Sequence, residues 1–222
     1  MNIVENIKNN PSKYKLLTNI YNYTVGRNKF NIRNNKINLN TVLLQKVKID
    51  IKGKNNVIFV DDLSIFNNCN IVIFGNNNNI NIGKMCYFKD TEFWIEDDNN
   101  SITIKDKTTV AGETQFAAIE GTSISVGNDC LFSSGINIRT GDSHSILDLK
   151  GNRINPSKNV MIKDHVWIGN KSMILKGSII SNDSIVSAGA IVTDKFDESN
   201  VVIAGVPAKI IKRDINWNKE RI

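Results

Sequence analysis

The chain has two histidines in 222 residues, and they stand in unlike settings. His144 lies in a polar stretch, Arg139-Thr140-Gly141-Asp142-Ser143-His144-Ser145-Ile146-Leu147-Asp148, which continues through Gly151-Asn152-Arg153-Ile154-Asn155-Pro156. His165 lies in Lys163-Asp164-His165-Val166-Trp167-Ile168-Gly169. Imidazole changes charge close to neutral pH, so proton transfer is the chemistry these two positions have to offer. The three cysteines show no Cys-x-x-Cys spacing and make neither a disulfide framework nor a zinc site. They read as small buried hydrophobes in a reducing compartment, the cytoplasm. A three-histidine zinc site of the hydratase type needs more histidines than the chain holds, so no metal is expected.

What must position these residues is an internal repeat. Ile162, Ile168, Ile174, Ile180, Val186 and Val192 fall at every sixth position. Neither a helical period of 3.6 nor a strand period of 2 explains that spacing, and a repeat outranks local pattern. Six residues make one face of a coiled solenoid of short strands that stack and bury a common aliphatic column. Upstream the period is 22: Val60, Ile82, Ile104 and Val126. Each starts a six-residue ladder, Val60–Phe66–Val72, Ile82–Phe88–Trp94, Ile104–Val110–Phe116 and Val126–Phe132–Ile138. Twenty-two is an 18-residue coil of three faces plus a four-residue corner bulge. The bulges are Asn76-Asn77-Asn78-Asn79, Asp97-Asp98-Asn99-Asn100 and Glu120-Gly121-Thr122-Ser123, whose residue types tolerate left-handed backbone. A second column of mostly small residues marks a tight inner corner: Ser64, Cys86, Thr108, Cys130, Val166, Ser172, Ser178, Ser184 and Ala190. From Val126 to Ile162 is 36 residues, one 22-residue coil with 14 inserted, and the insertion is the His144 stretch. A regular stack gains no stability from such an excursion, so a long polar loop there points to function.

The remaining sequence bounds the reading. A chain of this length supports one domain with a continuous core. Neither a bilayer-spanning apolar run nor a secretory leader is expected. Met1 to about Thr24 reads as helix, with Asn10 as cap, Pro11 opening it, and Tyr14, Leu17, Ile20 and Tyr21 as an apolar stripe that caps the solenoid. The net charge of +6 is spread along the chain, and no recognition-helix signature or interleaved aromatic-basic patch supports nucleic acid.

The stretch Ile162 to Gly169, Ser187-Ala188-Gly189-Ala190-Ile191-Val192-Thr193, and Ala204-Gly205-Val206-Pro207-Ala208-Lys209 resemble the hexapeptide-repeat acyltransferases. More narrowly they look like the bacterial O-acetyltransferases of sugars and surface polysaccharides, including the sialic-acid capsule enzymes. The likeness covers about residues 55–213. It implies an all-β fold, a single-stranded left-handed parallel β-helix with an N-terminal helical segment and one long catalytic loop. It implies as well a homotrimer with acetyl-CoA between subunits. The expected organisation is a helical cap over 1–35, a β-helix over 36–213 with its loop at 139–157, and a tail over 214–222.

The family's catalytic histidine sits on such a loop, and Asp142-Ser143-His144-Ser145-Ile146 matches its motif. His144 is thereby the candidate general base, taking the proton of a sugar hydroxyl as it attacks the thioester. Asp142 or Asp148 is the candidate to orient the ring. Trp167 matches the tryptophan that, in the sialic-acid enzymes, helps position the acetyl thioester. His165, in a regular coil with its side chain outward, is expected to be structural. Gly169, Ser187, Ala188, Gly189, Gly205, Pro207 and Ala208 are candidates to line the pantetheine arm, and Lys195, Lys209 and Arg213 to meet the phosphates. Arg139 and Arg153 flank the loop as candidate contacts to an acceptor carboxylate, with Ser143 and Asn155 beside them. The chain departs from the family at Lys163, Ser181 and Ser187, where glycine usually follows the ladder residue, and in Thr193-Asp194-Lys195, which separates the Thr and Lys.

The function expected is acetyl-CoA-dependent O-acetylation of a bacterial surface polysaccharide or its sugar, a sialic-acid-containing glycan being favoured. Two alternatives stand beside it. One is N-acetylation of an amino-sugar nucleotide, which often involves a separate nucleotide-binding domain for which the sequence before the coils leaves no room. The other is a non-catalytic β-helix that binds glycan.

Overall fold

In the computed structural model the described residues are 10–221; the expected helical start at 1–9 lies outside them. Helix α1, Pro11–Thr24, opens with Pro11 in its first turn, where the missing N–H costs nothing. Everything after it is strand and turn, arranged as three parallel sheets of eight, eight and nine strands. The chain visits the three sheets in rotation, so each coil contributes one strand to each. Only the final pair, Val202–Gly205 with Ala208–Lys212, is antiparallel.

The column of period 22 and then 18 is one continuous rung in space. Val60 pairs with Ile82, Ile82 with Ile104, Ile104 with Val126, Val126 with Ile162, Ile162 with Ile180 and Ile180 with Phe196. The 36-residue step from Val126 to Ile162 is therefore a single rung, and the inserted residues leave the stack and return to it in register. The aliphatic column from Ile162 to Val192 and the small-residue column are buried throughout. The buried hydroxyls among them are satisfied: Ser172 donates to the carbonyls of Gly169 and Ser187, and Ser178 to that of Val192.

Two ladders are offset from expectation. Val72 and Trp94 face outward, and Ile71 and Phe93 take the core positions, because the corner after Phe66 and Phe88 is one residue shorter than six-periodicity requires. Phe93 pairs with Phe116 across the register step, so the later ladders ending in Phe116 and Ile138 hold as read. The offset lets Phe66, Phe88, Phe93, Phe116 and Phe132 form one aromatic spine, with successive ring centroids 4.7, 5.3, 5.5 and 5.6 Å apart.

The polar bulges carry a buried ladder of their own. The Oδ1 of Asn56 accepts from the N–H of Asn78, that of Asn78 from Asn100, and that of Asn100 from Thr122, at 2.9, 2.7 and 3.0 Å. Each amide nitrogen donates to a carbonyl of its corner, Gly75, Asp97 and Glu96 in turn. Side-chain amides thus replace the strand ladder where the chain turns, which buried backbone demands. At Gly75, with φ +140, a Cβ would meet the Asp97 carbonyl oxygen at 2.0 Å.

α1 lies over the N-terminal end of the stack, on a different face from the expected stripe. Leu17 and Ile20 are exposed, while Asn22 is buried and bridges the carbonyl of Val42 and the N–H of Leu44. The end of a β-stack offers unpaired backbone groups, so a polar helix face satisfies it better than an apolar one. At the other boundary, strands already begin at Lys29, and Trp217 folds back from the C-terminal segment to become buried on the third sheet.

Asn78→Ala removes one rung of the amide ladder and orphans the N–H of Asn100. The expected cost is about 1–3 kcal/mol in urea denaturation, the penalty of an unmade buried hydrogen bond. A loss under about 0.5 kcal/mol would mean the ladder is ornamental.

Candidate active site

Residues 140–159 bridge the strand ending at Arg139 and the one beginning at Val160, close to the expected 139–157. The two ends are pinned at Thr140, whose hydroxyl accepts from the N–H of Ile119 and whose carbonyl accepts from that of Lys158. Gly141 follows where a Cβ would sit 2.2 Å from Ser157 Oγ and 2.5 Å from Ile119. Farther out the loop doubles back in an antiparallel bridge, Leu147 with Arg153. Asp148 closes that turn, accepting from the N–H groups of Lys150 and Asn152 at 2.8 Å each.

Asn155 is the internal hub. It is only 7% exposed. Its Nδ2 donates to Asp142 Oδ2 and to the carbonyl of His144, both at 2.8 Å, and its Oδ1 accepts from the N–H of Ile146 at 2.7 Å. Lys176, from the next coil, pairs with Asp142 and donates to the Asn155 carbonyl. Arg153 donates to Asn155 Oδ1 at 3.3 Å and pairs with Glu120 at 2.7 Å, and Ser157 donates to the same carboxylate. The hydrogen bond from Lys176, then that from Asn155, holds the Asp142 carboxyl below its ordinary range. Arg153, then Ser157, does the same for Glu120.

His144 projects from this frame exposed to solvent. Neither Asp142, committed to Lys176 and Asn155, nor Asp148, committed to its own turn, is hydrogen-bonded to its ring. Of the residues expected to meet the acceptor, Arg139 and Ser143 line a cavity of about 250 Å³ at the root of the loop. Arg153 and Asn155 hold the loop instead.

His165 and Trp167 lie elsewhere, on the third sheet. His165 Nδ1 is 2.9 Å from Asp183, and its ring stacks on Trp217 at 4.3 Å and 8°. Trp167 is 37% exposed, donates to Ser133 Oγ and stands 6.1 Å from the Trp217 ring. No contact joins Trp167 to His144 among the described residues.

A broad groove of about 940 Å³ opens at the C-terminal end. Lys195, Ala208, Lys209 and Arg213 line it, as do Lys158 and Lys176, which the sequence reading did not single out. The signal for those two was the period itself: Lys158 and Lys176 are 18 residues apart, one coil, so they share a column. Gly169, Ser187, Ala188, Gly189, Gly205 and Pro207 instead cluster at the corner following the third sheet, outside that lining. There Gly169 packs against the next coil, where a Cβ would lie 2.5 Å from the Ala188 nitrogen. Burial pushes the thiols of Cys69 and Cys86 up to about 11 and that of Cys130 up to about 12, so none supplies a thiolate at neutral pH.

Over 193 residues the chain is 34% identical to the polysialic acid O-acetyltransferase of Neisseria meningitidis, spanning 84% of this chain and 87% of that protein. A 95-residue stretch is 37% identical to the polysialic acid O-acetyltransferase of Escherichia coli O1:K1 / APEC, 42% of this chain and 31% of the relative. The fold superposes on the polysialic acid O-acetyltransferase OatWY with a TM-score of 0.84 at 34% identity, covering 88% of this chain and 92% of that one. It superposes on the polySia-specific acetyltransferase NeuO with a TM-score of 0.78 at 27% identity, covering 87% and 82%. No protein-family model matches. The chain is a left-handed parallel β-helix and belongs to the hexapeptide-repeat acyltransferases. Within them it is an O-acetyltransferase, of the group that holds these polysaccharide-modifying relatives.

Replacing Asn155 with Ala severs three anchors of the His144 segment without touching the coils. Limited proteolysis between Ile146 and Arg153 should accelerate about tenfold or more while the global denaturation midpoint moves little, as local opening requires. Unchanged cleavage would show that the loop is held by something else.

Proposed function

We propose that the chain transfers acetyl from acetyl-CoA to a hydroxyl of a bacterial surface polysaccharide or its sugar, with a sialic-acid-containing glycan as the favoured acceptor and His144 as general base. The observation that carries this reading is Lys176. It lines the cationic groove and also grips Asp142, two residues from His144, which supports reading groove and loop as parts of one site. Five cations line the groove, Lys158, Lys176, Lys195, Lys209 and Arg213; Lys176 is paired to Asp142 and Arg213 to Glu198, and the set suits the phosphates of CoA.

In the proposed step the imidazole of His144 takes the hydroxyl proton as the oxygen attacks the thioester carbonyl carbon. The tetrahedral intermediate collapses, the C–S bond breaks, and the thiolate receives the proton from the imidazolium. A single chain leaves His144 and Trp167 on different faces, and the loop exposes Ile146, Leu147, Leu149 and Ile154. Four large apolar side chains on one loop call for a cover. A second copy supplies it, in a homotrimer whose sites lie between subunits and where Trp167 of one subunit meets His144 of the next. The donor places the reaction in the cytoplasm; among the described residues no helix is long and apolar enough to cross a membrane. The N-acetylation and glycan-scaffold readings divide from this one on the acceptor that drives thiol release.

His144→Ala should lower acceptor-dependent CoA release by about 10²–10⁴, the ordinary worth of a general base, and His165→Ala by only a few-fold. Equal losses, or none for His144→Ala, would remove His144 from the role. Amine-only acceptors would move the reading to N-acetylation, and a folded protein that fails to bind acetyl-CoA would move it to a scaffold.

The loop's apolar tip makes a separate prediction. Leu147→Asp with Leu149→Asp should convert the assembly to monomers in light scattering after size exclusion. An unchanged mass would place the interface elsewhere.

A further inference from the structure

The cavity at the root of the His144 loop is built on the outward face of the first sheet, across three successive coils. Register sets Trp94 beside Ala117 and Ala117 beside Arg139. The small middle residue leaves a trough with an indole on one wall and a guanidinium on the other. They stand two strands, about 10 Å, apart. The neighbouring row is a chain of planar polar groups. Gln115 Nε2 donates to Glu92 Oε2 at 2.6 Å, and Gln115 Oε1 accepts from Arg139 at 2.9 Å and from Asn137 Nδ2 at 3.1 Å. Glu96 adds a carboxylate with no side-chain partner among the described residues, and Ser143 closes the end nearest His144. At about 250 Å³ the space lies below that of a drug-sized pocket, roughly 300–1,000 Å³.

We propose that this trough is an acceptor subsite for one uncharged, hydroxyl-rich pyranose residue, next along the glycan from the residue that His144 serves. The inference rests on the transferase reading and names part of its acceptor. A pyranose has an apolar C–H face for the Trp94 ring and an equatorial belt of hydroxyls for Glu92, Gln115 and Arg139. Two carboxylates face one guanidinium here, so a sugar bearing its own carboxylate is repelled. That contrasts with the donor groove, where cations dominate. Ser143 lines the trough and His144 does not, so the sugar held here is a neighbour of the acetylated one.

The full chain is tested with neutral hexose tetrasaccharides based on glucose, galactose and N-acetylglucosamine, against a sialic acid tetramer. Binding is read by saturation-transfer NMR without acetyl-CoA, and turnover by thiol release. At least one neutral probe should bind, and Trp94→Ala should weaken it about tenfold, with Trp94→Phe retaining most of it. The KM for acetyl-CoA and the oligomeric mass should not move. The pair Glu92→Gln and Glu96→Gln should raise binding of the sialic acid tetramer relative to the neutral probe about tenfold. The proposal is overturned if no neutral probe binds, if Trp94→Ala binds it unchanged, or if Trp94→Ala alters the oligomeric mass, which would make the trough an interface. It is equally overturned if the wild type prefers the sialic acid tetramer at this site. Wild type that binds the neutral probe through Trp94 yet releases no CoA with any acceptor would fail the transferase reading and leave the sugar site standing.

Discussion

Every part of this molecule depends on coils stacking in register. Each strand is hydrogen-bonded to the equivalent strand one coil below and one coil above, and its inward side chains rest on their counterparts. A one-residue slip would turn Ile102 or Ile124 outward and pull Asn100 off the amide ladder, so register is held by core and corner together. That constraint dictates the form of the His144 loop. Because Val126 and Ile162 must be adjacent, twenty intervening positions can only leave the stack and come back, and no coil supports them along the way. The loop therefore carries its own organisation in Thr140, Asp148 and Asn155. A conformation fixed by a buried amide and a paired carboxylate costs less entropy to use than one recruited on binding.

Electrostatics tie this loop to the rest of the fold in a way that survives acidification. Asp142 is held below its ordinary 3.8 by Lys176 first and Asn155 second. A carboxyl whose folded pKa is depressed stabilises the fold fully above its unfolded value, and the contribution disappears only as pH falls through the lower folded value. The same sign applies to Glu120, below its ordinary 4.5 through Arg153 and then Ser157. Both anchors are thus intact at any pH from about 5 upward. Lys176 is meanwhile shared between anchor and groove, so an anion seated beside it competes with Asp142 for one ammonium.

The fold was legible because a solenoid writes itself into sequence at a fixed period. Six- and 22-residue spacings located the core columns, the corner bulges and the excursion that carries His144. What the period could not reveal was local. Val72 and Trp94 are apolar at a plausible spacing, but the corner before them is one residue short, and only the pairing of Phe93 with Phe116 discloses it. The helix stripe misled for a related reason: Leu17 and Ile20 obey helical spacing, but an open stack end needs hydrogen-bond donors and acceptors, which Asn22 supplies. Within the site, Arg153 and Asn155 were legible as loop residues facing chemistry, and it took three dimensions to see them occupied with the loop itself. Lys158 and Lys176 stand 18 residues apart, one coil, but a lysine pair at that spacing carries no burial signal of the kind that marks the apolar columns.

The third sheet carries the last constraint. The stack of His165 on Trp217, the indole N–H of Trp217 on the His165 carbonyl, and the His165–Asp183 bond lock the C-terminal segment against the coil that holds Trp167. Lys219 extends the same strap to Asp129. His165 thus has its Nδ1 held by a carboxylate and one ring face covered by an indole. His144 is the opposite, open on its ring and fixed only through its backbone. The two settings agree with the proposal that gives proton transfer to His144 and a structural role to His165. Trp167 stays half-open between them because it is braced at its indole N–H by Ser133 and backed by Trp217. An aromatic held that firmly at the surface of a rigid sheet keeps its orientation whatever approaches it.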